Sequence, residues 1–176
     1  MTKKIAIILL SVSLLTYFSF LFFVTTDEQK TLIPKNSIDS LVVYKSKHRL
    51  LAYSGTKLMK TYPISIGKNS IGHKEFEGDK KTPEGNYTIN TKNPNSGWHK
   101  NLGISYPNTE DIKHAKSLGK PPGGNIKIHA LRNGFGFIGK LHRSFDWTNG
   151  CIAVTDEEID ELYDAVNLGA SIEIRP

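Results

Sequence analysis

Cys151 is the only cysteine of this chain. No intrachain disulfide can staple the fold, so a stable domain must come from its own apolar core. The N-terminus sharpens that constraint. Lys3 and Lys4 precede an uncharged apolar run from Ile5 to Val24, and about twenty residues at helical rise cross roughly 30 Å of hydrocarbon. There is no Ala-x-Ala pattern before Thr25 and no cysteine near this end for lipid attachment. The run is therefore expected to be an uncleaved signal anchor, one transmembrane helix within residues 1–24, with a cleaved signal peptide as the competing reading. Paired lysines ahead of the span predict a cytoplasmic N-terminus and a single-pass protein of the cell membrane. Residues 25–176 then lie on the extracytoplasmic face, periplasmic or outer. An unpaired thiol in such an oxidising space is either a small buried hydrophobe or a reactive group.

After the anchor, residues 25–40 are mostly polar, contain Pro34, and read as a linker. From Leu41 about 135 residues remain, the size of one core, so residues 41–176 are expected to form one domain. The formal net charge of +6 suits work near an anionic envelope. The lysines are scattered rather than striped and there is no recognition helix, so no nucleic-acid partner is expected.

The pattern is β-rich with two helices. Leu41–Tyr44 and Arg49–Tyr53 are strand-like runs separated by the polar Lys45–His48. Lys57 to Ile66 partly alternates, and Asn86–Asn90, Ile126–Ala130 and Ser171–Ile174 read as further strands. Asn108–Ser117 predicts a short helix with Glu110 and Asp111 in its first turn, stopped by Gly119, Pro121 and Pro122. Thr155 and Glu158 form a capping box for a second helix whose apolar stripe is Ile159, Leu162, Tyr163 and Val166, with Gly169 placed to end it.

A cysteine nucleophile needs a base, because a free thiol of pKa about 8.5 is only a few per cent thiolate at neutral pH. Of six histidines, two are placed to serve. His129 ends the β-patterned run Ile126–His129 after the turn Pro121–Gly124. His142 lies nearer to Cys151 in a loop rich in Gly, Arg and Lys. Spacing alone does not choose between them. Trp147 reads as packing or as an aromatic cleft wall. No His-Glu-x-x-His or paired-cysteine spacing is present, so no metal site is expected.

Three separated motifs carry a resemblance. Gly78-Asp79-Lys80-Lys81-Thr82-Pro83-Glu84-Gly85, Ile126-Lys127-Ile128-His129 and Thr148-Asn149-Gly150-Cys151-Ile152 resemble, in order and spacing, those of the YkuD-type L,D-transpeptidase catalytic domains of peptidoglycan enzymes. Asp146–Thr155 and Ser105–Asn108 look like one branch of that family. The resemblance implies a mainly β fold, a YkuD-type β-sandwich of mixed sheets with two or so helices. It implies Cys151 as nucleophile and His129 as its proton partner. The substrate would be a peptidoglycan stem tetrapeptide, attacked at the carbonyl between its diamino acid and the terminal D-alanine. D-alanine would leave, and the thioester would pass to an amine or to water; a catalytically silent wall-binding module is the alternative reading. A protein tethered to the wall is a further candidate partner.

By the same resemblance the oxyanion and substrate would be met by Gly150, Asn149 and Thr148, with His142 or Arg143 available to a stem-peptide carboxylate. No cofactor is implied, and carbapenems are expected to acylate Cys151 better than penicillins. Asn149 stands where many members carry histidine, and Ala130 stands where glycine or serine is more usual. The segment from Arg132 to Ser144, expected to cover the substrate, is a few residues longer than the common spacing.

Overall fold

Burial alternates from Leu41 to Tyr44 in the first strand, β1 (Ile38–Tyr44), which buries Leu41 and Val43 on one face, while Ile38 is buried ahead of a register shift between Ile38 and Ser40. A computed structural model describes residues 33–176. The expected anchor within residues 1–24 and the first part of the linker lie outside the described residues. Among those described, no helix is long and apolar enough to cross a membrane. Ile33 already packs into the core and β1 begins at Ile38, so the fold starts ahead of the Leu41 boundary.

The chain continues through β2 (Arg49–Ser54), β3 (Lys57–Pro63), β4 (Gly85–Ser96) and β5 (His99–Ile104) to helix α1 (Thr109–Ser117). Strand β6 (Lys127–His129) follows, then a 3-10 segment (Gly136–Ser144) kinked at Gly139, strand β7 (Ile152–Ala153), helix α2 (Asp156–Ala165) and strand β8 (Val166–Arg175). The strands join in the order β3-β2-β1-β8-β4-β5-β6-β7. Pairs β1–β8 and β6–β7 are parallel and the rest antiparallel.

The expected sandwich of mixed sheets is realised as one continuous mixed sheet whose two halves share β4. It curls until the chain leaving β3 meets β7: Ser65 and Ala153 exchange backbone hydrogen bonds of 3.0 and 2.8 Å. One apolar cluster, including Leu41, Tyr62, Ile128, Ile152 and Leu162, fills the curl.

Both expected helices are present. Asn108 caps α1 through a reciprocal box with Asp111, and Thr155 caps α2 through a box with Glu158. The α2 stripe is shorter than its sequence pattern. The helix ends at Ala165, and Val166, buried and β-branched, opens β8 opposite Ile38. Gly169 therefore does not terminate the helix. It sits in β8 at φ +86°, where the β1–β8 register slips between the Ile38–Val166 and Ser40–Ser171 pairs, a bulge that suits glycine.

Leu162 is fully buried beneath the sheet. Leu162→Ala is expected to lower unfolding stability by about 2–5 kcal/mol, against about 1 kcal/mol for loss of the α2 cap in Thr155→Ala. Urea denaturation checks both, and equal losses would mean that α2 is not held by its apolar face.

Candidate active site

Strand periodicity brings the chemistry together. In the β5–β6–β7 register Leu102, Ile128 and Ile152 are neighbours, and all three are fully buried in the core. Their flanking residues must therefore point to the opposite face. On that face Asn101 lies opposite His129, which lies opposite Ala153. Extending the parallel register back one step sets Cys151 beside Lys127. Cys151 and His129 are thus diagonal neighbours, and both line a cleft of about 410 Å³.

The turn that carries the cysteine is held from several sides. The Asp146 carboxylate accepts the Ile66 backbone N–H at 3.0 Å and lies 3.0 Å from His48 Nε2. Thr148 pairs with the backbone of Ile66 and Lys68, donates its hydroxyl to the Cys151 carbonyl at 2.7 Å, and accepts the Gly150 N–H at 3.1 Å. Gly150 has φ +126°, and a Cβ there would lie 2.7 Å from the Lys81 carbonyl oxygen, so only glycine fits.

Lys81 belongs to the Gly78–Gly85 motif, whose hub is a buried ion pair. Asp79 accepts from Lys74 Nζ at 2.7 Å and from the backbone N–H groups of Glu75, Phe76 and Lys81. Burial alone would raise the Asp79 carboxyl, but these donors outweigh it and hold it below the usual range. Thr82 then accepts the Gly67 N–H at 2.9 Å, joining this loop to the turn that carries Cys151.

The two reactive groups rest in their neutral forms. His129 is buried, and its Nδ1 donates to the Ala130 carbonyl at 2.6 Å. That bond fixes the tautomer and leaves Nε2 as the acceptor. Burial pushes the imidazole pKa down; the Ala130 carbonyl opposes this and the Lys127 charge adds to it. Burial also pushes the Cys151 thiol up, against the pull of the Lys127 backbone N–H and the Lys127 and Lys74 charges. The thiol sits 3.5 Å from the Asn125 carbonyl oxygen and donates to it.

The remaining candidate residues separate. Thr148 and Asn149 line the cleft. The Gly150 N–H is taken by Thr148, so Gly150 shapes the turn rather than offering a free donor. His142 does not reach the cleft. It is buried behind Trp147, whose indole N–H donates to His142 Nδ1 at 3.3 Å. Arg143 is not free for a substrate carboxylate either, because it pairs with Glu158 of the α2 capping box.

Trp147 is a cleft wall: it stacks on Trp98 with ring centroids 5.7 Å apart, and both rings lie against His129. Trp98 and Asn101 were not among the sequence candidates. The pairing of β5 with β6 places Asn101, and only the strand register could have found it. No cluster able to hold a metal ion occurs among the described residues.

Residues 39–174 match the YkuD family, the L,D-transpeptidase catalytic domain. The chain belongs to that family. It is 29% identical over 113 residues to YafK of Escherichia coli K12, a match covering 62% of this chain and 38% of YafK. The fold resembles the helical cell shape determining protein Pgp2 of Campylobacter jejuni (TM-score 0.57, 24% identity, 82% of this chain and 51% of that one). It also resembles an L,D-transpeptidase of Mycobacterium smegmatis (TM-score 0.53, 14% identity, 80% and 59%). The chain spans less than two thirds of each of these relatives.

The buried histidines make stability depend on pH in a defined direction. Burial, aided by the Arg143 charge, pushes His142 down to about 4. In the unfolded chain histidine titrates near 6.5, so as pH falls the unfolded state binds its proton first and stability declines between about 6.5 and about 4. His142→Asn keeps an acceptor for the Trp147 indole and removes the titration. Its unfolding free energy, from urea denaturation at each pH, is expected to fall less over that window than that of the parent, by on the order of 3 kcal/mol. Parallel pH profiles of the two proteins would refute this.

Proposed function

We propose that this domain is a peptidoglycan L,D-transpeptidase working through a cysteine acyl-enzyme. The observation that carries the reading is the lone thiol set diagonally to a buried histidine on one face of β6–β7, inside a cleft, in a chain of this family. His129 Nε2 takes the Cys151 proton as sulfur attacks the stem carbonyl, because a preformed ion pair is disfavoured by the burial of both groups. The oxyanion is met by backbone N–H groups of the turn other than that of Gly150, the Cys151 N–H being adjacent to the sulfur. Collapse breaks the C–N bond, and the imidazolium returns its proton to the leaving amine of D-alanine. An acceptor amine then attacks the thioester to give an L,D-crosslink. Water in its place would give a tripeptide, or free a protein tethered to the wall.

The full chain incubated with disaccharide-tetrapeptide is expected to yield crosslinked dimer, read by mass spectrometry. Cys151→Ala should abolish every product. His129→Asn should lower kcat by about 10²–10⁴-fold, and His142→Asn should stay within about tenfold of the parent. Tripeptide alone would reassign the domain to hydrolysis. Product from Cys151→Ala would refute the mechanism.

We also propose that residues 5–24 hold the domain at the outer face of the cell membrane, as the paired lysines before the apolar run suggest. Protease added to spheroplasts is then expected to digest the domain. Protection until the membrane is opened would place it on the other side.

A further inference from the structure

The face that carries Cys151 and His129 carries two more groups that the mechanism above leaves unused. Asn101, opposite His129, is 4% exposed, lines the cleft, and its side-chain amide has no hydrogen-bond partner among the described residues. That amide faces the cleft rather than a protein partner, and it offers a donor and an acceptor together, the complement of a peptide bond. Lys127, two residues before His129 and beside Cys151, also lines the cleft. Its ammonium has no hydrogen-bond or ion-pair partner among the described residues. Lys68 at the rim is likewise unpaired, and no acidic residue lines this cleft. This contrasts with Lys45, Lys60, Lys74 and Lys81, each of which is neutralised by a carboxylate.

An unbalanced cation beside the nucleophile calls for an anion on the ligand. We propose that Asn101 and Lys127 are specificity-determining residues that select the acyl donor, Asn101 by pairing with a peptide amide and Lys127 by pairing with a carboxylate close to the scissile bond. This inference rests on the proposed function and names how that site reads its substrate. The carboxylate is either the C-terminal one of the leaving residue or that on the diamino acid side chain.

Binding separates this inference from the chemistry. Full-chain Cys151→Ala is titrated by calorimetry with disaccharide-tetrapeptide, with its C-terminal carboxamide, and with the analogue amidated on the diamino acid. One of the two amidated ligands is expected to bind about tenfold or more weakly, and it identifies which carboxylate is read. Adding Lys127→Met should weaken the parent ligand by a similar factor and erase the discrimination, while Lys127→Arg restores it. Asn101→Leu should weaken all three ligands alike.

Thermal melting of each variant reports whether the fold is kept, and a Lys127 variant that melts early is replaced by Lys127→Gln. Equal binding of the three ligands, or discrimination that survives removal of the Lys127 charge, overturns the inference. Turnover by the unsubstituted chain is measured in parallel. Lys127-dependent binding without Cys151-dependent turnover would sink the proposed reaction and leave the recognition site standing.

Discussion

Ile128 opposite Ile152, both locked in the core, fixes everything that matters chemically in this domain. Side chains alternate along a strand, so burying those two residues forces His129 and Cys151 out on the other face. A slip of one residue would bury the histidine and thiol in the apolar cluster and expose the isoleucines, which the core would not tolerate. Strand β7 is only two residues long, and its register is secured from outside as well. Ser65 pairs with Ala153, Thr148 pairs with Ile66 and Lys68, and Asp146 holds the Ile66 amide. The Asp79–Lys74 loop supplies the carbonyl against which Gly150 turns.

The same burial that fixes geometry sets the resting charge. A half-buried thiol pushed up and a buried imidazole pushed down favour the uncharged pair, so in the proposed reaction proton transfer accompanies the approach of substrate. Staying protonated also limits oxidation of the thiol, since the thiolate is the oxidisable form. The Trp98–Trp147 stack contributes to the burial of His129, and His142 holds the Trp147 indole.

Much of this was legible from the residues. The Thr155–Glu158 capping box declares itself by polar types at fixed spacing, and the β1, β2 and β6 runs by their apolar content. Strand β5 escaped because Asn101, which lines the cleft, and Gly103, which lies under the Thr91 side chain, break the apolar alternation. Val166 extended the α2 stripe in sequence but entered β8, because one β-branched residue after a helix suits either state until its partner Ile38 is known. His142 and Arg143 looked available because local sequence carries no sign of the indole and the Glu158 carboxylate that take them.

The curl of the sheet has a consequence for how copies of the domain meet. A strand with one side unpaired is a template for another chain. At β7 that side is already taken by the segment around Ser65, so the strand next to the thiol cannot recruit a neighbour's backbone. The other end of the ladder, β3, carries the exposed Lys57 and closes on Pro63. Charge and a missing N–H guard that margin. The domain can therefore crowd against its own kind without stacking into a longer sheet.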